Sequence, residues 1–220
     1  MMGKHLLAYF LLFSVLGCGT QAPRQQNEFV AEKLPLMGPV ELIPSASGDG
    51  WDTVFHTIPP FEFINQDGEI FTHEHLDGKL YLADFFFTTC PTICPKMTET
   101  MKRVHDEIQH LDDVHLVSHT IDPYHDTPEV LKAYGIQKGA NFAHWTFLTG
   151  NLDSIYAISE FGYMAYAKVA PEEPGGYTHS GFLILVDKNK HIRAVYDGTR
   201  IEIAPEIVAD IQILRNENPN

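Results

Sequence analysis

KLYLADFFFTTCPTICPKMTETMKRVHDEI, residues 79–108, places a strand, a two-cysteine loop and a helix in succession. KLYLADFFF (79–87) is an apolar run of the kind that a central strand covered on both faces requires. Beyond the loop, Met97, Met101, Val104, Ile108 and Leu111 recur at steps of four, three, four and three, which lines up one buried stripe on an amphipathic helix. Between strand and helix lie Cys90 and Cys94, flanked by Pro91 and Pro95, where α/β sheets place their functional groups.

The two thiols admit three readings: a redox pair, half of a metal site, or ordinary buried cysteines, since free cysteine is among the most buried residue types. The prolines refine the geometry. Pro95 inside a helix would delete a hydrogen bond, so regular helix is expected to start at Pro95 with Cys94 as its cap and Cys90 on the loop. A thiol at a helix N-terminus feels the positive end of the dipole, so Cys94 is expected below the free cysteine pKa of roughly 8.5. Thiolate is the form that both nucleophilic and metal-binding chemistry need.

Working outward, FEFINQDGEIFTHEHL gives two short alternating runs around Asn65-Gln66-Asp67-Gly68, a hairpin signal. VHLVSHTI (114–121) is the next strand, and DTPEVLKAYGI opens a helix capped by Thr127 with Pro128 in its first position. HWTFLTG predicts a strand, NLDSIYAISEFG a helix, GFLILVDKNKHIRAVYDG (181–198) a closing hairpin, and residues 202–215 a last helix. Strands alternating with helices indicate an α/β fold with a mixed sheet.

The chain has 220 residues, 44% of them hydrophobic, enough for one substantial core. Its formal net charge of -14 argues against nucleic acid as a partner, because phosphates demand a basic face. At the N-terminus, Lys4 precedes an apolar stretch, Leu6 to Leu16, that is short for a bilayer span and suits a secretory signal. It ends in Val15-Leu16-Gly17-Cys18, which resembles the bacterial lipobox. The expectation is a signal peptide over 1–17, a lipidated Cys18 at the head of a loosely packed tether and lead-in (18–58), and a folded domain over 59–217. Cys90 and Cys94 then have only each other, or a metal, in an extracytoplasmic compartment where disulfides persist.

A metal would need a third ligand, and the twelve histidines are the candidates. His5 falls in the signal segment, His105, His110 and His115 are expected on exposed helix and strand positions, His73 and His75 sit in a hairpin, and His191 follows a turn. His179 stands apart, because EEPGGYTHSGFLILVD ends a Gly/Pro-rich, mobile-looking loop just before a strong strand.

FFFTTCPTICPKM, IDPYHDTPEVLKAYG, WTFLTG and THSGFLILVDKNKHI together, in this order over about residues 60–215, resemble the Sco/SenC family. These are thioredoxin-like, peroxiredoxin-related copper proteins that assemble the CuA centre of cytochrome c oxidase. The resemblance implies a mixed sheet flanked by helices with an N-terminal hairpin, and copper ligands at Cys90, Cys94 and His179. It sets His179 in the slot that a cis-proline takes in related thioredoxin-like proteins. Two thiolates and an imidazole suit Cu(I) and accommodate Cu(II), whereas a structural zinc site normally has four protein ligands. Asp122, in IDP, is expected either to support the site or to cap the turn before Pro123. The implied function is a metallochaperone tethered in the bacterial envelope, binding one copper and delivering it to an oxidase subunit or another acceptor. The second reading is a thiol-disulfide oxidoreductase cycling Cys90 and Cys94, which would reduce the cysteines of a copper-receiving partner.

Overall fold

The structure, a computed structural model, describes residues 33–217. The expected signal peptide, the lipidation of Cys18 and the first part of the tether lie outside the described residues. Among the described residues no helix is long and apolar enough to cross a membrane.

The expected lead-in contains a hairpin of its own, β1 (Val40–Pro44) with β2 (Trp51–Phe55). The composition hid it, yet Trp51, Thr53, Val54 and Phe55 are strand formers, and Gly48 and Gly50 supply positive φ in the turn. Next come β3 (Glu62–Asn65) and β4 (Ile70–Thr72), the expected hairpin, then β5 (Leu80–Phe86) and α1 (Cys94–Ile108). β6 (Val114–Thr120) is followed by α2 (Pro128–Lys138), where the Thr127 side chain accepts the Val130 N–H and Pro128 opens the helix. β7 (Trp145–Thr149) leads into α3 (Leu152–Ala157), which widens into one π turn over Ile158–Gly162. The chain closes with β8 (Ala167–Val169), β9 (Tyr177–His179), β10 (Phe182–Val186), β11 (Ile192–Asp197) and α4 (Ala204–Asn216).

Seven strands form one mixed sheet in the order β11-β10-β5-β6-β7-β3-β4. The centre, β5-β6-β7, is parallel, with Phe85 beside His119 and Ser118 beside Phe147, and both flanks are antiparallel. All residues of β5, β6 and β7 are buried, as parallel strands covered by helices on both faces must be. The stripe on α1 is buried as expected, with Met97, Met101, Val104 and Ile108 at 0% exposure.

The same coverage overturns the expectation of exposed His105 and His115. His115 is buried because β6 is central, and His105 because it sits four residues after Met101 on the stripe. His119, also on β6, is more unusual. Neither ring nitrogen has a partner among the described residues, and the rings of Phe61, Phe63, Phe85 and Tyr163 surround it with centroids 5.1 to 5.7 Å away.

Burial pushes the His119 pKa down from 6.5 to about 3. The unfolded chain therefore takes up a proton near pH 6.5 that the folded chain refuses until near pH 3, so acidification across that window favours unfolding. His119→Phe removes two unsatisfied buried nitrogens and is expected to raise stability by about 1–2 kcal/mol at pH 7. It should also flatten the loss between pH 7 and pH 5. Urea unfolding at both pH values checks this, and an equal acid loss in the variant and the parent protein would reject it.

Candidate metal centre

The cysteine loop leaves the C-terminal end of β5 and is pinned there. Asp126, 0% exposed, accepts the Thr88 backbone N–H at 3.0 Å and the hydroxyls of Thr88 and Thr120. The Cys90 N–H donates to the Phe87 carbonyl. α1 begins at Cys94, one residue earlier than expected, with Ile93 as N-cap and Pro95 in the first turn. The register costs nothing, because the first four N–H groups of a helix have no intrahelical acceptor for proline to forfeit.

The loop carrying His179 is not the loose segment its composition suggests. β8 and β9 pair as a small antiparallel hairpin, with Ala167 opposite His179. Gly175 (φ +92°) turns the chain under the ring of Phe87, where a Cβ would lie 2.8 Å from a ring carbon. Tyr177 stacks obliquely on the Phe87 ring, centroids 5.2 Å apart, and its hydroxyl donates to Asp122 at 2.8 Å. The Asp122 carboxylate holds Tyr177, and its backbone carbonyl accepts the His125 and Asp126 N–H groups that close the turn.

These elements bring together Cys90, Cys94 and His179, whose candidate ligand atoms all lie within 4.8 Å of one another. Cys94 Sγ is 3.2 Å from His179 Nε2. The other ring nitrogen, Nδ1, donates to the Ser180 carbonyl at 3.0 Å, which leaves Nε2 with its lone pair toward the sulfurs. All three side chains are buried, with exposures of 8%, 1% and 9% in chain order. A cleft of about 210 Å³, lined by Phe87, Cys90, Thr92, Ile93, Tyr177 and His179 among others, opens onto the Cys90 side. Among the described residues no other group of His, Cys, Asp and Glu side chains has this proximity, and His73, His75, His105, His110, His115 and His191 lie outside it.

The thiols divide their proton in the opposite sense to the helix-dipole expectation. Hydrogen bonding from Cys94 draws the Cys90 thiol below its ordinary value against the opposing effect of burial. Cys94 is pushed up, first by its bond to the Cys90 sulfur and then by burial. Cys94 is the more enclosed residue, so local hydrogen bonding and desolvation oppose the dipole and favour the thiolate on the loop cysteine. Nearby, Asp84 on β5 is buried at 2% exposure and raised to about 6 by burial, with the Ser118 hydroxyl donating to it at 2.5 Å.

Two thiols and an imidazole, close together and enclosed, form a donor set soft enough for Cu(I) and Zn(II), with fewer protein ligands than a structural zinc site requires. The unbridged cysteines can equally close on each other.

The sheet, its helices and this loop-plus-hairpin site define a thioredoxin-like protein. The SCO1/SenC family profile matches residues 52–214, and the chain belongs to that family. Three solved structures are similar to it. A SCO1/SenC family lipoprotein from Bacillus anthracis is 32% identical, with a TM-score of 0.68 over 73% of this chain and 96% of its own. BsSco, described as having a disulfide switch and as a member of the Sco family of cytochrome c oxidase assembly proteins, is 31% identical, with a TM-score of 0.66 over 74% and 95%. ScoI from Bradyrhizobium japonicum, solved with copper bound, is 26% identical, with a TM-score of 0.61 over 72% and 99%.

Sequence reading alone missed Asp126 and Thr88, and it singled out Tyr177 and Thr178 only as neighbours of His179 that contact a partner or shape the loop. A signal for Asp126 was present, since it is the second acid of IDPYHD, directly before the Thr127-Pro128 cap. Tyr177 offered only its spacing, two residues before His179 and hence on the same face of β9.

Proposed function

We propose that this protein is a lipid-tethered copper carrier of the bacterial envelope. It binds one copper through Cys90, Cys94 and His179 and delivers it to the CuA site of cytochrome c oxidase or to another acceptor. The observation that carries this reading is the enclosed convergence of two sulfurs and one imidazole nitrogen. Copper bound in the Bradyrhizobium relative and the assembly role stated for BsSco support it. The lipobox-like Val15-Leu16-Gly17-Cys18 and the lipoprotein from Bacillus anthracis support the tether.

The protein's own part is to present a thiolate at Cys90, a lone pair at His179 Nε2 and a second sulfur at Cys94, all at the end of one cleft. Three protein ligands leave room for an incoming ligand of the acceptor, so copper passes by ligand exchange rather than by release into water. Anaerobic titration of the reduced protein with Cu(I) against a chelator tests this. One tight equivalent is expected, and none after oxidation of Cys90 and Cys94 to the disulfide.

A second reading, a thiol-disulfide reductase, draws on the unequal cysteines. Cys90 as thiolate would attack a partner disulfide, and Cys94 would then displace the partner thiol, leaving a Cys90–Cys94 disulfide that a thiol reductant must reset. Reduction of a disulfide substrate at a rate independent of His179 would favour it over copper delivery.

Tyr177 separates positioning from ligation. Tyr177→Phe keeps the ring on Phe87 but drops the bond to Asp122, and is expected to speed copper loss about 10-fold, as groups that orient ligands typically do. The absorption spectrum of the Cu(II) form should be kept. Unchanged release kinetics would show that the bond does not hold β9.

A further inference from the structure

The hairpin of β1 and β2 lies outside the seven-stranded sheet and carries apolar side chains into solvent. In its register Val40 faces Phe55, Leu42 faces Thr53 and Pro44 faces Trp51, while Glu41 faces Val54 and Ile43 faces Asp52. Opposed residues share a face and successive residues alternate. One face therefore gathers Val40, Leu42, Pro44, Trp51 and Phe55 with Thr53 as its one polar member, and the other, acidic face carries Glu41 and Asp52 together with Val54 and Ile43. Trp51 is 67% exposed and Leu42 63%. A lone two-stranded hairpin is marginal in water, and a concentrated apolar patch marks a binding surface.

The base of the hairpin is fixed to the domain. The Met37 N–H donates to the Ile192 carbonyl at 2.8 Å, and His56 Nε2 donates to the Gly162 carbonyl at 2.7 Å. The apolar face accordingly has a set orientation relative to the sheet. Val40 follows Cys18 by only 22 positions, a separation that spans at most about 75 Å.

We propose that this face seats in the headgroup–acyl boundary of the membrane that holds Cys18, which rests on the tether reading above. Tryptophan and other aromatic side chains favour that boundary, and a strip whose two acids both lie on the face opposite Trp51, Leu42 and Phe55 can turn the uncharged face to it. No Lys or Arg occurs between Lys33 and Lys79, so the contact is apolar rather than a pairing with anionic headgroups. Lipid on Cys18 alone would leave the domain free to tumble, whereas the seated hairpin fixes the direction in which the copper cleft faces.

The chain has two tryptophans, and Trp145 is buried, so Trp51 reports on this face. The full-length protein from an envelope-competent host, with Cys18 lipidation read by mass, is placed on phosphatidylethanolamine–phosphatidylglycerol vesicles containing brominated acyl chains. Trp51 emission is expected to shift to the blue and be quenched at least about 2-fold, with Trp51→Phe supplying the background. Leu42→Glu should abolish the quenching and Ile43→Glu, on the acidic face, should not, both retaining copper stoichiometry. Trp51 that stays open to iodide on vesicles overturns the proposal. So does shielding that needs high protein density, which means a second copy, or that needs added oxidase, which means a protein partner. If Cys18 carries no lipid the tether reading falls, and quenching of Trp51 by the same vesicles then decides the hairpin independently.

Discussion

His179→Ala is expected to weaken Cu(I) binding by at least about 100-fold while the fold survives. Loss of a group that merely orients a ligand typically costs 10- to 100-fold, so loss of a ligand should cost no less. The fold should tolerate the change because β9 ends at His179, its hydrogen bond to Ser180 is local, and the seven-stranded sheet does not include β9. Competition titration gives the affinity and urea unfolding the stability. Copper affinity unchanged in this variant would remove His179 from the ligand set. A large fall in stability without metal would show that the imidazole serves packing against Phe87 instead.

Asp126→Ala is the second large effect, and it acts on stability. The carboxylate collects the Thr88 N–H and the Thr88 and Thr120 hydroxyls in a place with no solvent exposure, and the half-exposed His125 ring lies 3.0 Å from it. Truncation strands those donors, at about 1–3 kcal/mol each where relaxation cannot rescue them, so a loss of about 3–5 kcal/mol is expected. Because Thr88 stands two residues before Cys90, the folded variant should also show a looser cysteine loop, read as a changed Cys90–Cys94 reduction potential. A stability loss below about 1 kcal/mol would mean that water replaces the carboxylate and that the pin is dispensable.

The fold was legible in the sequence wherever one structural period dominated. The apolar run at 79–87 and the Thr127-Pro128 cap each came out within a residue or so, and the stripe from Met97 holds as far as Ile108, where α1 ends and leaves Leu111 buried in the turn beyond, because burial and capping leave local signatures. His179 was singled out by its Gly/Pro setting, and its place beside Cys94 came through family resemblance rather than from any local pattern, since 85 positions separate them.

What stayed hidden was tertiary in origin. His105 and His115 were taken as solvent-facing because polarity alone says nothing of how many layers cover a strand or helix face. The β8–β9 hairpin has strands of three residues, too short for a period, and its glycines signal a loop where Gly175 in fact makes room for Phe87. The helix dipole, a local effect, leads to the expectation of a lowered Cys94 pKa. Enclosure and the neighbouring sulfur, which depend on how the chain returns, reverse it.

That separation of 85 positions along the chain has a thermodynamic consequence. An ion gripping Cys94 and His179 joins segments on either side of β6, α2, β7 and α3, and so closes a very long loop in the manner of a removable staple. In the chain-entropy picture, closing a loop of that size limits the unfolded ensemble by an amount on the order of 4 kcal/mol. Loaded and empty protein should then differ in heat resistance far more than three coordinate bonds at a surface would suggest. Loss of the ion would leave the protein softer and more readily cleared by proteases, so metal status and lifetime would be coupled through unfolding alone.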